Sequence, residues 1–265
     1  MTKKVVSLFL ALVMILCCLS ACGSVKLTVE KVQNAGKLVI GTSPDFPPFE
    51  SLSADGKVEG IEIEIMELIC QELGVELEIK QMDFDSVLPG VQTGKFNVGV
   101  SGISVTPERE KNTLFTVPYC LAAQAIVVTS DSTIASKADL AGKTVSVQTG
   151  TTAEEFCMSN GYTVKAFAAN ADAETALTVG KVDAWVIDDL TAAEMVAAYN
   201  EDHPDAPLVI LDEAMTTEPY AFAFSFGSED LVAEINKILA DLIADGTVEQ
   251  AFTKFEAPYT PASAK

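Results

Sequence analysis

Among the 17 basic residues of this 265-residue chain there is one arginine, Arg109, in the stretch GISVTPERE (102–110). Lysine supplies every other formal cation. The planar guanidinium offers a fixed fork of donors that fits a carboxylate or phosphate two bonds at a time, which an ammonium cannot do. A lone arginine is also what codon usage leaves by accident, so its surroundings decide. Thr106-Pro107-Glu108 reads as N-cap, first position and first-turn acid of a short helix, which places Arg109 near a helix start. Ser101-Gly102-Ile103-Ser104, just before it, follows a strand end. Glycine there lets backbone approach a ligand closely, while serine oxygens and carbonyls accept from an ammonium.

Two further stretches carry chemistry of the same kind. In VQTGTTAEE (147–155), Gly150 opens a helix whose first amides suit an anion. Thr151 and Glu154 are equally well spaced for a simple capping box. Asp188 ends VDAWVID (182–188) just before a helix at Asp189. It reads as an N-cap or, beside a site that already takes a carboxylate, as an ammonium acceptor.

The elements that must position these residues alternate between strand and helix. KLVIGT (37–42) reads as a strand, IEIEIMELICQELG (61–74) as a helix with Gly74 as its C-cap, and VELEIKQM (75–82) as a strand. DSVLPGVQTGK (85–95) predicts a short helix interrupted by Pro89, and FNVGVSGISV (96–105) a strand. The second half repeats the pattern through KTVSVQTG, TTAEEFCMSNG, TVKAFA, AETALTVGK and VDAWVID, then a helix from Asp189 to about Asn200. Such alternation predicts α/β layers with largely parallel sheets, which bind ligands beyond their strand C-termini. Two long extended stretches, YCLAAQAIVVTSDS (119–132) and EPYAFAFSFG (218–227), read as crossing strands. They divide the chain into residues 22–121 with 220–265 as lobe 1 and residues 122–219 as lobe 2, joined by a hinge.

The first residues speak to compartment. Lys3 and Lys4, the apolar run Val5 to Leu16 and the ending Leu19-Ser20-Ala21-Cys22 form a secretory signal over residues 1–21. The ending resembles a bacterial lipobox, which implies cleavage before Cys22 and a lipid on its sulfur, tethering the protein outside the cell membrane. Without Lys3 and Lys4, 15 basic residues face 38 acidic ones, a net charge of −23. That balance excludes nucleic acid as a partner. Of six cysteines, Cys70, Cys120 and Cys157 remain after the signal and Cys22, with no zinc spacing. A Cys120–Cys157 bridge is left open. His203 is the single histidine and lies in a polar loop, so no metal site and no hydrolytic triad is expected. Trp185 falls in the apolar phase of its strand and reads as core.

GTSPDFPPFE (41–50), DGKVEGIEIEI (55–65), MDFDSVLPGVQTGKFNVGVSGISVTPERE (82–110), DLAGKTVSVQTGTT (139–152) and GKVDAWVIDD (180–189) together resemble the extracellular solute-binding proteins of family 3, amino-acid receptors of ABC importers. The resemblance implies an α/β, two-lobed periplasmic-binding-protein fold (type II) that closes on one amino acid. Arg109 is then similar to the arginine that clamps the α-carboxylate, helped by Thr152 and the Thr151 amide in the Gly150 loop. Gly102, Ser104 and Asp188 match the α-ammonium positions, and Phe46 and Phe84 the aromatic walls. Ser43 stands where many members carry aspartate, which argues against a cationic ligand unless Asp45 compensates.

The implied function is capture of a free amino acid and delivery to a permease with its ATPase. The expected receptor is not an enzyme, needs no cofactor, is a monomer and touches the membrane only through its lipid. An exported dehydratase of the prephenate or arogenate type, on the same fold, is the competing expectation, with Asp188 as its acid.

Overall fold

The structure, a computed structural model, describes residues 26–262. The expected signal over residues 1–21 and Cys22 lie outside the described residues. Helix α1 (Val29–Ala35) leads into strand β1 (Lys37–Thr42), followed by a small antiparallel sheet of β2 (Asp45–Phe46), β3 (Glu50–Leu52) and β4 (Val58–Glu59). Helix α2 (Ile61–Leu73) ends at Gly74 in the left-handed region and returns the chain to β5 (Glu76–Gln81), parallel to β1. The IEIEI alternation of α2 does not make a strand because Ile61, Ile65 and Ile69 form one helical stripe, all fully buried. Glu62 is buried with them.

Pro89 does not interrupt α3 (Val87–Gln92): it sits in the first turn, where its missing N–H costs nothing. The strand expected over 96–105 shrinks to β6 (Val98–Gly99), with one bridge at Ser104, because Gly102 turns the chain with a positive φ of 53°. Strand β7 (Leu114–Phe115) precedes the first crossing strand, β8 (Cys120–Ala122). The 119–132 stretch then breaks at Ala123 before β9 (Gln124–Thr129).

Beyond β9 come β10 (Thr144–Gln148), α4 (Thr152–Ser159), β11 (Thr163–Phe167), α5 (Asn170–Thr178), β12 (Ala184–Asp188), α6 (Asp189–Asp202) and β13 (Leu208–Ile210). The chain returns through β14 (Glu218–Tyr220), which pairs antiparallel with β8, and β15 (Ala223–Phe224), then closes with α7 (Glu229–Ala244) and α8 (Thr247–Lys254). Helix α8 packs on α2, bringing Phe252 edge-on to Phe49 with centroids 6.0 Å apart.

The two main sheets share one plan. The first runs β5-β1-β6-β15-β7 and the second β11-β10-β12-β9-β13. In each, three strands are parallel and the last two pairings are antiparallel. The sheets are therefore mixed rather than largely parallel. The strands that follow the crossings, β9 and β15, enter their sheets from the opposite side and run against β12 and β6. Trp185 is fully buried in the core. His203 stacks on Tyr199 at 4.2 Å, exposed. Cys120 and Cys157 are both free and buried, so the structure holds no bridge between them; burial pushes the Cys157 thiol up to about 12.

Candidate functional site

A cleft between the two sheets is lined by Phe46, Phe84, Ser101, Gly102, Ser104, Arg109, Gln148, Thr151, Thr152 and Asp188. Its free volume is about 20 Å³, room for about one water, so the lobes stand closed. A larger groove of about 650 Å³ on the second lobe, by Asp131, Lys143 and Asp205, holds none of the candidate residues.

The first lobe supplies the turn after β6. Gly102 has to be glycine twice over: its φ is positive, and a Cβ there would lie 2.5 Å from the Phe46 ring. Its N–H donates to Glu62 Oε2 at 2.9 Å. The chain then runs beside the second crossing strand, with Val105 N–H donating to Pro219 O at 2.8 Å and Ala221 N–H to Ile103 O at 3.1 Å. Thr106 caps the turn that carries Arg109, its Oγ1 accepting from the Arg109 N–H at 3.2 Å, in a 3₁₀ turn over Arg109–Lys111. The guanidinium donates to Ser104 O at 2.9 Å and, across the cleft, to Gly150 O at 3.2 Å. It lies 5.8 Å from the Phe84 ring centroid. Burial pulls its pKa below the ordinary value, while Glu218, Asp188 and Glu155 hold it up, and it remains a cation.

The second lobe supplies two strand ends. After β10, Thr151 caps α4, accepting from Glu154 N–H at 3.2 Å. Glu154 does not complete the capping box: its Oε2 accepts from Gly150 N–H at 2.7 Å, not from the Thr151 amide. After β12, Asp188 occupies the N-cap position of α6 without capping it. Its carboxylate accepts instead from Gln124 Nε2 and from the Tyr220 hydroxyl. Burial pushes Asp188 up to about 8, against the hydrogen bond from Tyr220. Gln124 Nε2 also donates to Thr152 Oγ1 at 3.3 Å.

Eight of the ten residues singled out in the sequence line this cleft: Phe46, Phe84, Gly102, Ser104, Arg109, Thr151, Thr152 and Asp188. Gly150 stands at its rim, holding the guanidinium through its carbonyl. Ser43 does not line it; its hydroxyl donates to Asp45 Oδ1 at 2.8 Å. Asp45 reaches across to the second lobe, accepting from Gln148 Nε2 at 3.0 Å and from Asn170 N–H at 2.9 Å. A first-lobe carboxylate thus caps helix α5 of the second lobe, which has no side-chain cap of its own. The sequence reading named Ser101 only as part of the turn before Arg109, and it missed Gln148, Gln124, Asn170 and Tyr220. Gln148 had a signal, as the last residue of a strand that points into the cleft; the others are set by pairing across the fold.

Two mixed α/β lobes, joined by paired crossing strands and closed over a polar cleft, make this the two-lobed periplasmic-binding-protein fold. Residues 38–257 match the sequence model of the bacterial extracellular solute-binding proteins, family 3, and the chain belongs to that family. It is 30% identical over 231 residues to the L-cystine-binding protein TcyJ of Escherichia coli strain K12, covering 86% of this chain and 85% of that protein. Among solved structures it is similar to the P235GK mutant of ArgBP from T. maritima, with TM-score 0.79 and 36% identity over 87% of this chain and 99% of that one. It is also similar to the ancestral amino acid-binding protein AncCDT-1, a precursor of cyclohexadienyl dehydratase, with TM-score 0.77 and 32% identity over 86% and 98% of the two chains.

Proposed function

We propose that this protein is the extracytoplasmic receptor of an ABC importer, capturing one free amino acid between lobe 1 (22–121 and 220–265) and lobe 2 (122–219). The observation that carries this reading is the placement of a guanidinium and a carboxylate on opposite lobes, facing one cleft: Arg109 for an α-carboxylate, Asp188 for an α-ammonium. An amino acid bridges them and so stabilises the closed form that a permease then reads. Gly102 and Ser104 help to seat the ammonium, and the Thr151 amide and Thr152 the carboxylate, between the Phe46 and Phe84 walls. Each charge-assisted bond made in the closed cleft contributes roughly 1.5–3 kcal/mol.

The ligand side chain is neutral on this reading. The Asp45 carboxylate already accepts from Ser43, Gln148 and Asn170, which leaves it little capacity for a cationic side chain. Relatives named for arginine and for cystine make those two the sharpest comparators. Thermal shift and calorimetry with the twenty amino acids and cystine test it: a neutral amino acid should bind at least tenfold tighter than arginine or lysine. Arginine or lysine tighter by tenfold would reverse the assignment of Asp45. Binding of none would remove the amino-acid reading.

The tether belongs to the same proposal. Lipid on Cys22 holds the receptor, as a monomer, at the membrane beside its permease. Cys22→Ser should release it from the membrane fraction and end metabolic lipid labelling; persistent labelling would place the anchor elsewhere. A dehydratase reading takes its one support from Asp188, which is held up far enough to serve as an acid. Incubation with prephenate or arogenate separates the two, since a receptor forms no product.

A further inference from the structure

Beneath the turn that carries Ser101 and Gly102 lie two glutamates, neither with any exposed surface, Glu50 at the start of β3 and Glu62 in the first turn of α2. Neither is paired with a cation among the described residues. Glu62 has a donor for each oxygen: the Tyr119 hydroxyl at 2.5 Å on Oε1 and the Gly102 N–H at 2.9 Å on Oε2. Glu50 has one: Ser101 Oγ donates to its Oε1 at 2.8 Å, and Ser101 Oγ in turn accepts from Ser43 N–H at 3.1 Å. The buried Glu50 Oε2 finds no donor. The two side chains sit side by side under one turn: Glu50 takes Ser101 and Glu62 the adjoining Gly102, and the Glu62 N–H donates to Phe49 O, next to Glu50, at 3.1 Å.

Two neighbouring carboxylates that are fully buried and have no cation beside them cannot both be ionised. One proton resolves the arrangement, and the partners decide where it sits. Glu62, with two donors, is the ionised member. Glu50 carries the proton on its orphaned Oε2 and donates it to Glu62, so that every oxygen of the pair is satisfied. We propose that Glu50 and Glu62 form a single-proton carboxyl pair whose job is to position the cleft floor. Glu62 holds the Gly102 amide, and Glu50 holds Ser101 and, through it, the backbone at Ser43. The pair therefore fixes both first-lobe turns, after β1 and after β6, that form the base of the cleft.

The titratable neighbours reinforce this. Asp45 from β2, Tyr119 before β8 and Cys120 on β8 face the pair, and each adds negative charge on ionising or none. From α8, Lys254 is spent on Glu64 at the outer side of α2, and Phe252 and Phe49 supply apolar cover. Burial first, then the charge of Glu62, holds Glu50 well above the usual carboxyl range. Burial raises Glu62 as well, opposed by the hydrogen bonds it accepts from Tyr119 and Gly102.

Infrared spectroscopy of ligand-free protein carrying glutamate labelled with ¹³C at the side-chain carboxyl tests this without mutation. At pH 8 the spectrum should contain the carbonyl band of a protonated acid, shifted by the label. The label removes Asp188, the other strongly raised carboxyl, from the reading. No label-shifted acid band at pH 8 would overturn the proposal. In Glu50→Gln, whose amide still donates to Glu62, the band should vanish while exchange of the Gly102 amide, followed by NMR, stays within about threefold of wild type. Persistence of the band there would put the proton on another glutamate and overturn the assignment. Glu62→Gln should speed Gly102 exchange by about tenfold or more, because the anionic acceptor is lost. Equal exchange in the two variants would leave the pair only a structural role and defeat the positioning claim.

Discussion

Two of the contacts that carry the first lobe to the second are built in opposite ways. At one, the Arg109 guanidinium meets the Gly150 carbonyl at 3.2 Å and uses its other bond on Ser104 O. Two of its five N–H donors are engaged by these bonds, and both acceptors are uncharged. At the other, the Asp45 carboxylate takes a hydroxyl, a side-chain amide and a helix N-terminal N–H. The first contact retains donors that a carboxylate would engage better than carbonyls do; the second is saturated without any ligand. The proposed function turns this contrast into a division of labour, in which the Arg109 contact would read the ligand and the Asp45 contact would help to hold the lobes shut.

The largest effect should come from spoiling the reader while keeping its charge. Arg109→Lys removes the fork and should weaken amino-acid binding about 100-fold, with the melting temperature nearly unchanged. Calorimetric affinity within about threefold of wild type would break the comparison at its stronger side.

Next comes the anion opposite. Asp188→Asn should weaken binding about 10- to 100-fold by taking away the ammonium's charge partner. It should also change the pH response. Burial raises Asp188 to about 8 in the closed cleft, so below that pH the carboxyl carries a proton. A ligand ammonium favours the ionised form, so binding near pH 7 should release about one proton, and affinity should rise as pH climbs toward 8. Calorimetry in buffers of different ionisation enthalpy reads the proton, and Asp188→Asn should abolish its release. The same shift has a consequence for folding. A carboxyl whose folded value is raised stabilises the protein fully below its unfolded value near 4, and that contribution is lost as pH rises through about 8.

The smallest effect belongs to the latch. Asp45→Ala should cost about 3- to 10-fold in affinity for a neutral amino acid and should expand the ligand-free protein in small-angle scattering, as the closed population falls. A loss as large as that of Arg109→Lys would mean that Asp45 touches the ligand, and the division of labour would be wrong.

How much of this was legible follows from which forces act locally. Strand and helix order could be read because periodicity is local, as in Ile61, Ile65 and Ile69 on α2. That Arg109 and Asp188 line the cleft could be read because each follows a strand end, where α/β sheets leave room for a ligand, although Asp188 read equally as an N-cap. The antiparallel outer strands could not, since pairing direction depends on how β9 and β15 enter their sheets from the crossings. Asp45 was visible only as an acid of unknown direction; its partners Gln148 and Asn170 are more than 100 residues away. Glu62 was hidden by its own helix, where an acid in the buried stripe looks like an error of pattern until Tyr119 and Gly102 are seen to donate to it.

The central claim is that one cleft recognises both charges of a free amino acid, and chemical editing of the ligand tests it most directly. The tightest amino acid found in the panel should be compared by calorimetry with its α-carboxamide and its N-acetyl derivative, side chain unchanged. Loss of either charge should cost about 100-fold or more, and the carboxamide should lose nothing further in Arg109→Lys. Derivatives that bind as tightly as the parent amino acid would contradict the account.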